Sequence, residues 1–317
     1  YFRGNTIGWE QIEMTSPDLN GGARGIFIGG GSYPASVYNN ISYITISTLG
    51  NDTDFGDLST ATTNGAGCAS RTRCFQAGGS TPTGINTITY VVFSSTGDGI
   101  NFGDLIGVKE QSAGLSNATR GIFAGGYDYP AANVNVVEYI TMATTGNAAD
   151  FGDINNQVWG SASLASSTRG IVAGGKTAAN SVVNSIDYIT IATTGNAADF
   201  GDLTGFSGSM NGSGCSNSTR GVLMGGYDHP STVNNIEYLT ITTKGNTADF
   251  GDMSSACAWG VSVSSPTRGV TQLGDVGGNI VNGIEYIEIM TTGNAKDFGD
   301  LTTTRYGQGG SNAHGGL

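Results

Sequence analysis

Thr119-Arg120-Gly121-Ile122-Phe123-Ala124-Gly125-Gly126 opens a phrase that runs through Glu138-Tyr139-Ile140-Thr141 and closes on Asp150-Phe151-Gly152-Asp153. Nearly the same phrase is spelled six times. Its Arg recurs at Arg24, Arg73, Arg120, Arg169, Arg220 and Arg268, and its Phe at Phe55, Phe102, Phe151, Phe200, Phe250 and Phe298. Both series advance by 47 to 51 residues, longer than the roughly 34 residues of paired-helix repeats.

Each unit carries four short segments of strand character. In the fourth unit they are Ser161 to Ser166, Ile171 to Ala173, Ile186 to Ile191 and Phe200 to Leu203. The Gly174-Gly175 pair breaks the second segment, and Thr194-Gly195-Asn196-Ala197 supplies the turn before the fourth. Both alternating sets of the third segment, Ile186/Tyr188/Thr190 and Asp187/Ile189/Ile191, are partly apolar, so both faces must be covered. No segment carries a helical apolar stripe. The pattern predicts an all-β chain: a six-bladed β-propeller of four-stranded antiparallel blades, which closes radially and leaves few open edges. A parallel β-solenoid is the competing reading, with shorter turns and no hairpin punctuation.

The units lie near residues 21–58, 64–105, 112–154, 160–203, 210–253 and 260–301, together one repeat domain over 21–317. Residues 306–317 are expected to complete the first blade, because Ser311-Asn312-Ala313 repeats Ser116-Asn117-Ala118. Residues 1–20, with Trp9 and Pro17, read as a lead-in segment. At 317 residues the chain exceeds the usual single-core size of about 250–300, a limit that stacked repeats evade because each needs only its neighbours. The 53 glycines fall at fixed slots and only 6 prolines accompany them, which excludes collagen and disorder.

The formal charge of -12 argues against nucleic acid and anionic membranes, which are held through clustered Lys and Arg. Fifteen of the 25 acids sit in repeated slots: six in Phe-Gly-Asp, five just before that Phe, four just before the repeated Tyr. Cys68, Cys74, Cys215 and Cys257 have neither metal-ligand nor disulfide-framework spacing and read as buried thiols. No apolar run reaches the roughly 18 residues of a spanning helix, so no membrane insertion is expected.

The Gly-Gly doublet after an apolar strand, the Tyr about a dozen residues on, and the aromatic opening the fourth strand resemble the kelch pattern of galactose-oxidase-like propellers, with Phe where kelch repeats usually carry Trp. The phrases Thr-Arg-Gly-Ile-Phe-Ala-Gly-Gly and Tyr-Ile-Thr-Ile-Ala-Thr-Thr-Gly-Asn-Ala-Ala-Asp-Phe-Gly-Asp-Leu resemble repeat proteins of marine tailed phages, cyanophages among them, over residues 22–317. That resemblance implies a virion or tail-appendage component, located on the virion or outside the cell, with a structural or host-recognition role. Its expected partners are other virion or surface-assembly proteins, a host cell-surface glycan, or further copies of itself. Two departures stand out: Leu273-Gly274-Asp275 replaces the Gly-Gly doublet in unit six, and Asn101 replaces the Asp before Phe in unit two.

Six repeated Arg match six repeated carboxylates, Asp57, Asp104, Asp153, Asp202, Asp252 and Asp300. Bidentate Arg–Asp pairs stapling the units are the expectation, with an anion-binding Arg ring as the alternative. Asn196, Asp199 and Asp202 offer three oxygens where calcium takes six to eight, so turn capping is preferred to a metal loop. Two histidines, His229 and His314, leave no room for a Ser-His-Asp set or a copper centre. No cofactor, metal or catalytic residue is assigned; a glycan-processing enzyme is a remote reading, since a carboxylate pair is all it needs.

The residues that differ between units are aromatic. Tyr33, Tyr127, Tyr129, Tyr227 and His229 follow second strands; Trp159, Trp259 and Tyr306 follow fourth strands. In a four-stranded meander both connections emerge on one side. Rings with Asp and Asn nearby suit a sugar's apolar face and hydroxyl rim. Recognition of a host receptor or glycan is therefore the expected function, with a purely structural decoration or filament subunit as the alternative.

Overall fold

β-Branched and aromatic runs separated by glycine turns become strands throughout: every regular element among the described residues is β. The computed structural model describes residues 23–32, 36–128, 132–179, 181–205, 213–228 and 230–317. The expected lead-in at 1–20, with Trp9 and Pro17, and the candidates Tyr33, Tyr129 and His229 lie outside them.

Each unit forms one antiparallel sheet. In the fourth, Ala162–Ala165 pairs Arg169–Ala173, which pairs Ser185–Thr190, which pairs Ala198–Asp202. Five sheets have four strands; that of the fifth unit is extended to six by a short hairpin, Asp275–Val276 and Asn279–Ile280. A further three-stranded sheet joins Lys109–Glu110, Tyr127–Asp128 and Ala132–Asn133. The first sheet takes its first strand from the far end of the chain, Tyr306–Ser311 against Arg24–Ser32. That strand stops at Ser311, short of the 306–317 read from the sequence, and residues 312–317 continue outside any strand.

The first strands of neighbouring sheets touch in cyclic order: Ala66–Ala69, Ala113–Ser116, Ala162–Ala165, Ser213–Ser216, Val261–Ser264, Tyr306–Ser311 and back to Ala66–Ala69. Small residues allow this approach. A Cβ on Gly114 would meet the Gly67 carbonyl at 2.3 Å, and one on Gly67 the Gly309 carbonyl at 2.3 Å. Hydroxyls bridge the gaps, as where Ser116 Oγ donates to Ala69 O at 2.7 Å and Ser216 Oγ to Ala165 O at 2.7 Å.

Hydrophobic burial fills the space between sheets. Ile186, Ile171 and Phe200 of the fourth sheet pack with Leu223, Leu239 and Ile241 of the fifth, and equivalent clusters fill the other gaps. The register slips by one residue at every Phe-Gly, so that Ile186 faces Gly201 and Asp187 faces Asp199. This bulge turns Phe200 into the core, where it is 2% exposed. Each buried Phe meets its own sheet's Tyr edge-on, with centroids 5.9 to 6.2 Å apart, from Tyr43–Phe55 to Tyr286–Phe298.

The six Arg–Asp pairs expected from the sequence do not form. Among the described residues the ion pairs are Lys109–Glu138 and Arg268–Glu288. Each repeated Arg instead places its Cζ over the Tyr ring of its own sheet, 4.4 to 4.7 Å from the centroid. It also donates through Nη1 to a carbonyl of the next sheet: Arg24 to Phe93, Arg73 to Met142, Arg120 to Ile191, Arg169 to Ile241, Arg220 to Ile289, and Arg268 to Ile46. Backbone carbonyls beside an aromatic face desolvate a guanidinium at lower cost than burying a carboxylate with it would. The Asp carboxylates stay at the surface.

The Asp backbone is what the fold uses. The N–H groups of Asp57, Asp104, Asp153, Asp202, Asp252 and Asp300 donate to the side chains of Asp98, Asn147, Asn196, Asn246, Asn294 and Asn51, each on the next sheet's turn. Asn196 therefore caps the neighbouring strand rather than its own turn. The adjacent glycines meet backbone to backbone: Gly245 N donates to Phe200 O at 2.9 Å, and a Cβ on Gly201, at φ +153, would sit 2.4 Å from Gly245 O.

Gly195 has nearly the same φ, +152, with open space around its missing Cβ. Gly195→Ala should cost about 1 kcal/mol from backbone strain alone, and Gly201→Ala about 3 kcal/mol or more from strain plus the clash. Urea unfolding measures both, and equal losses would show that the inter-sheet contact is soft. In the same assay Arg169→Ala should cost about 2 kcal/mol, from a cation–π contact and a charged hydrogen bond. Asp202→Asn should stay within about 0.5 kcal/mol; the reverse order would restore the Arg–Asp pairing.

Candidate functional site

Where the repeat is exact the side chains hold sheets together, so a site must come from positions where units differ. One such position is the short three-stranded sheet beside unit three, whose residues differ from those of its counterpart beside unit six, Cys257-Ala258 with Asp275–Val276 and Asn279–Ile280. It brings Tyr127 and Asn133 against Trp159, which is fixed by a two-way backbone pairing with Lys176. The Lys176 ammonium sits 5.4 Å from the Trp159 ring centroid, and Asn133 Nδ2 donates to Lys176 O at 3.0 Å.

Between these groups lies a groove of about 490 Å³ lined by Glu110, Gln111, Tyr127, Asn133, Trp159 and Thr177, with Ala132 and Ala178. Tyr127 and Trp159, both half-buried, are thus brought together on one surface. Burial raises the Glu110 carboxyl above its ordinary range, opposed by hydrogen bonds from Asn64 and Ser80. Glu110 is the one carboxylate among the described lining residues.

Trp259 and Tyr306 meet elsewhere, with ring centroids 5.5 Å apart at 45°. They line a smaller cavity of about 110 Å³ with Asn64, Gln111 and Gly160, where the cyclic row of first strands opens to solvent. Gln111 borders both spaces. Tyr227 is the penultimate residue of the strand Arg220–Asp228, half-buried, and lines neither cavity. Glu110, Gln111, Asn133 and Thr177 carry no aromatic signature and were missed in the sequence; unit three's unusual Lys109-Glu110-Gln111 preceding its first strand was the available clue.

At the opposite end of the row, residues 313–317 turn across the opening. His314 Nδ1 accepts from Gly316 N at 3.1 Å, which leaves the ring proton on Nε2, 2.8 Å from Ala69 O. Gly315 N donates to Ser216 O at 2.9 Å. The segment thus ties the second sheet to the fifth. Burial lowers the His314 pKa below its ordinary 6.5, with the Ala69 bond opposing in part.

Cys68, Cys74, Cys215 and Cys257 are free and buried, and burial pushes Cys215 and Cys257 up to about 12. Among the described residues no three His, Cys, Asp or Glu side chains converge on a point that would hold a metal. No protein-family model and no curated protein matches the chain.

His314 makes the fold acid-sensitive. Its folded pKa is lowered, so the unfolded chain takes up the proton first; stability is intact above about pH 6.5 and falls as pH drops towards the folded pKa. Asp187 and Glu110, both raised by burial, titrate in the opposite sense, which makes the comparison with a variant necessary. The melting advantage of the native protein over His314→Asn should shrink between pH 7.5 and pH 5. An advantage constant across that range would show that folding does not lower the His314 pKa.

Proposed function

We propose that the chain is a kelch-like, six-bladed propeller that acts without catalysis as a recognition module on a virion or extracellular surface, taking a saccharide in the groove between Tyr127 and Trp159. Three features support the propeller: the cyclic contact of the first strands, the pairing of Tyr306–Ser311 with Arg24–Ser32, and the bonds that sheet six makes to sheet one. Those last bonds, Gly50 N to Phe298 O and Asp300 N to Asn51 Oδ1, repeat the ones between every other neighbouring pair.

The groove itself carries the functional reading. Two half-buried aromatics give apolar faces for a sugar ring, while Glu110, Asn133, Gln111 and Thr177 supply oxygens and an amide for its hydroxyls. Glycoside hydrolysis uses two carboxyl groups about 5 to 9.5 Å apart, and Glu110 lacks such a partner among the described lining residues. The surface placement and the phage resemblance rest on the sequence phrases alone.

Screening the purified protein on a glycan array, with Tyr127→Ala and Trp159→Ala beside it, tests the reading. Stacking contributes about 0.5–1.5 kcal/mol per ring beyond burial. Each variant should therefore bind a hit several-fold to about tenfold more weakly, with melting changed by only a few degrees. Unchanged binding together with a large fall in melting would make the rings packing residues and leave a structural subunit as the better account.

A further inference from the structure

Three non-glycine residues have positive φ among the described residues: Asn64 at 58°, Gln111 at 54° and Trp259 at 63°. All three occupy one slot of the repeat, the residue that leads into the first strand, and Gly160 fills it in the fourth unit at φ 70°. In these four units the slot is left-handed, whereas Tyr306, which fills it in the first sheet, has no positive φ; where the slot is left-handed, glycine meets it without strain. Asn tolerates the conformation; Gln and the bulky Trp are outliers in it. Strain held at a slot where glycine would serve marks side chains kept for something other than the backbone.

Those side chains converge. Asn64, Gln111, Gly160 and Trp259 line the 110 Å³ cavity at the mouth of the row of first strands, with Tyr306 beside Trp259. Gln111 Oε1 is shut off from solvent and has no hydrogen-bond partner, an acceptor awaiting a donor. No charged side chain lines the cavity, so an ionic ligand would be desolvated without compensation. We infer that this mouth is a second binding seat, for a single neutral sugar residue, with Trp259 as its stacking surface and Gln111 Oε1 accepting from one of its hydroxyls. Apart from Gln111, which borders both, the seat stands on different residues from the Tyr127–Trp159 groove and would remain if that groove bound nothing.

Saturation-transfer NMR and calorimetry with methyl α-glycosides of glucose, galactose and mannose test it, using the whole chain and two variants that relieve the positive φ. Trp259→Gly should weaken the bound glycoside about tenfold or more while melting holds or rises, and Gln111→Gly should weaken it severalfold. Trp159→Ala, which alters only the groove, should leave that glycoside's affinity within about twofold. Three results would each overturn the seat: no glycoside bound by the native chain, affinity unchanged in both glycine variants, or melting lowered by many degrees in Trp259→Gly with affinity intact. Affinity lost in Trp159→Ala alone would assign the sugar to the groove and likewise overturn it.

Discussion

The contact on which the rest depends is a peptide-to-peptide approach at the outer edge of each sheet. The glycine of Phe-Gly-Asp lies against the glycine that ends the next sheet's turn, and the Asn after that glycine, or Asp98 in one unit, accepts from the Asp backbone. A sheet edge left open would expose a row of unpaired N–H and C=O groups. Here the neighbouring turn takes them. With the edges fixed at this distance, the Arg of one sheet reaches a carbonyl of the next, and the apolar faces close to packing distance. Hydrophobic burial supplies the bulk of the stabilisation, since it scales with area, but the glycine contact sets the spacing at which burial occurs.

Charge plays a secondary and unusual part. Four acids just before the repeated Tyr are almost wholly buried, Glu138 and Glu237 at 1% exposure. They cap backbone N–H groups beyond the preceding fourth strand, as where Asp187 accepts from Asn155 and Glu138 from Ile106. In the first sheet Ser42 stands in the acid's slot, and the buried Arg305 fills the space, donating to Ser42 Oγ and Asn40 O. The net charge of the chain therefore says less about partners than its magnitude suggests, because part of it is enclosed.

Strand positions were legible because period-two patterning and glycine punctuation are local: the third strand read as Ile186 to Ile191 is Ser185–Thr190 in the structure. Partner choice was not legible. A count of six Arg and six Asp suggested pairing, yet the register sets Arg169 opposite Thr190 and Asp202 opposite Ser185, at the two ends of the third strand, and Arg found Tyr and a carbonyl instead. The candidate site was half-legible. Tyr127 and Trp159 stood out as aromatics that break the repeat, whereas Gln111 looks ordinary until its backbone conformation is seen.

The pairing of Tyr306–Ser311 with Arg24–Ser32 also sets a timetable for biosynthesis. The Arg24–Ser32 strand has to wait for some 270 further residues before its neighbour is made. During that interval a largely buried apolar strand keeps one backbone edge available to any other strand in the same condition. Two nascent copies held close on one polysome could lend each other the missing strand, so slow elongation or crowded translation favours exchange between chains, and rapid completion favours pairing within one chain.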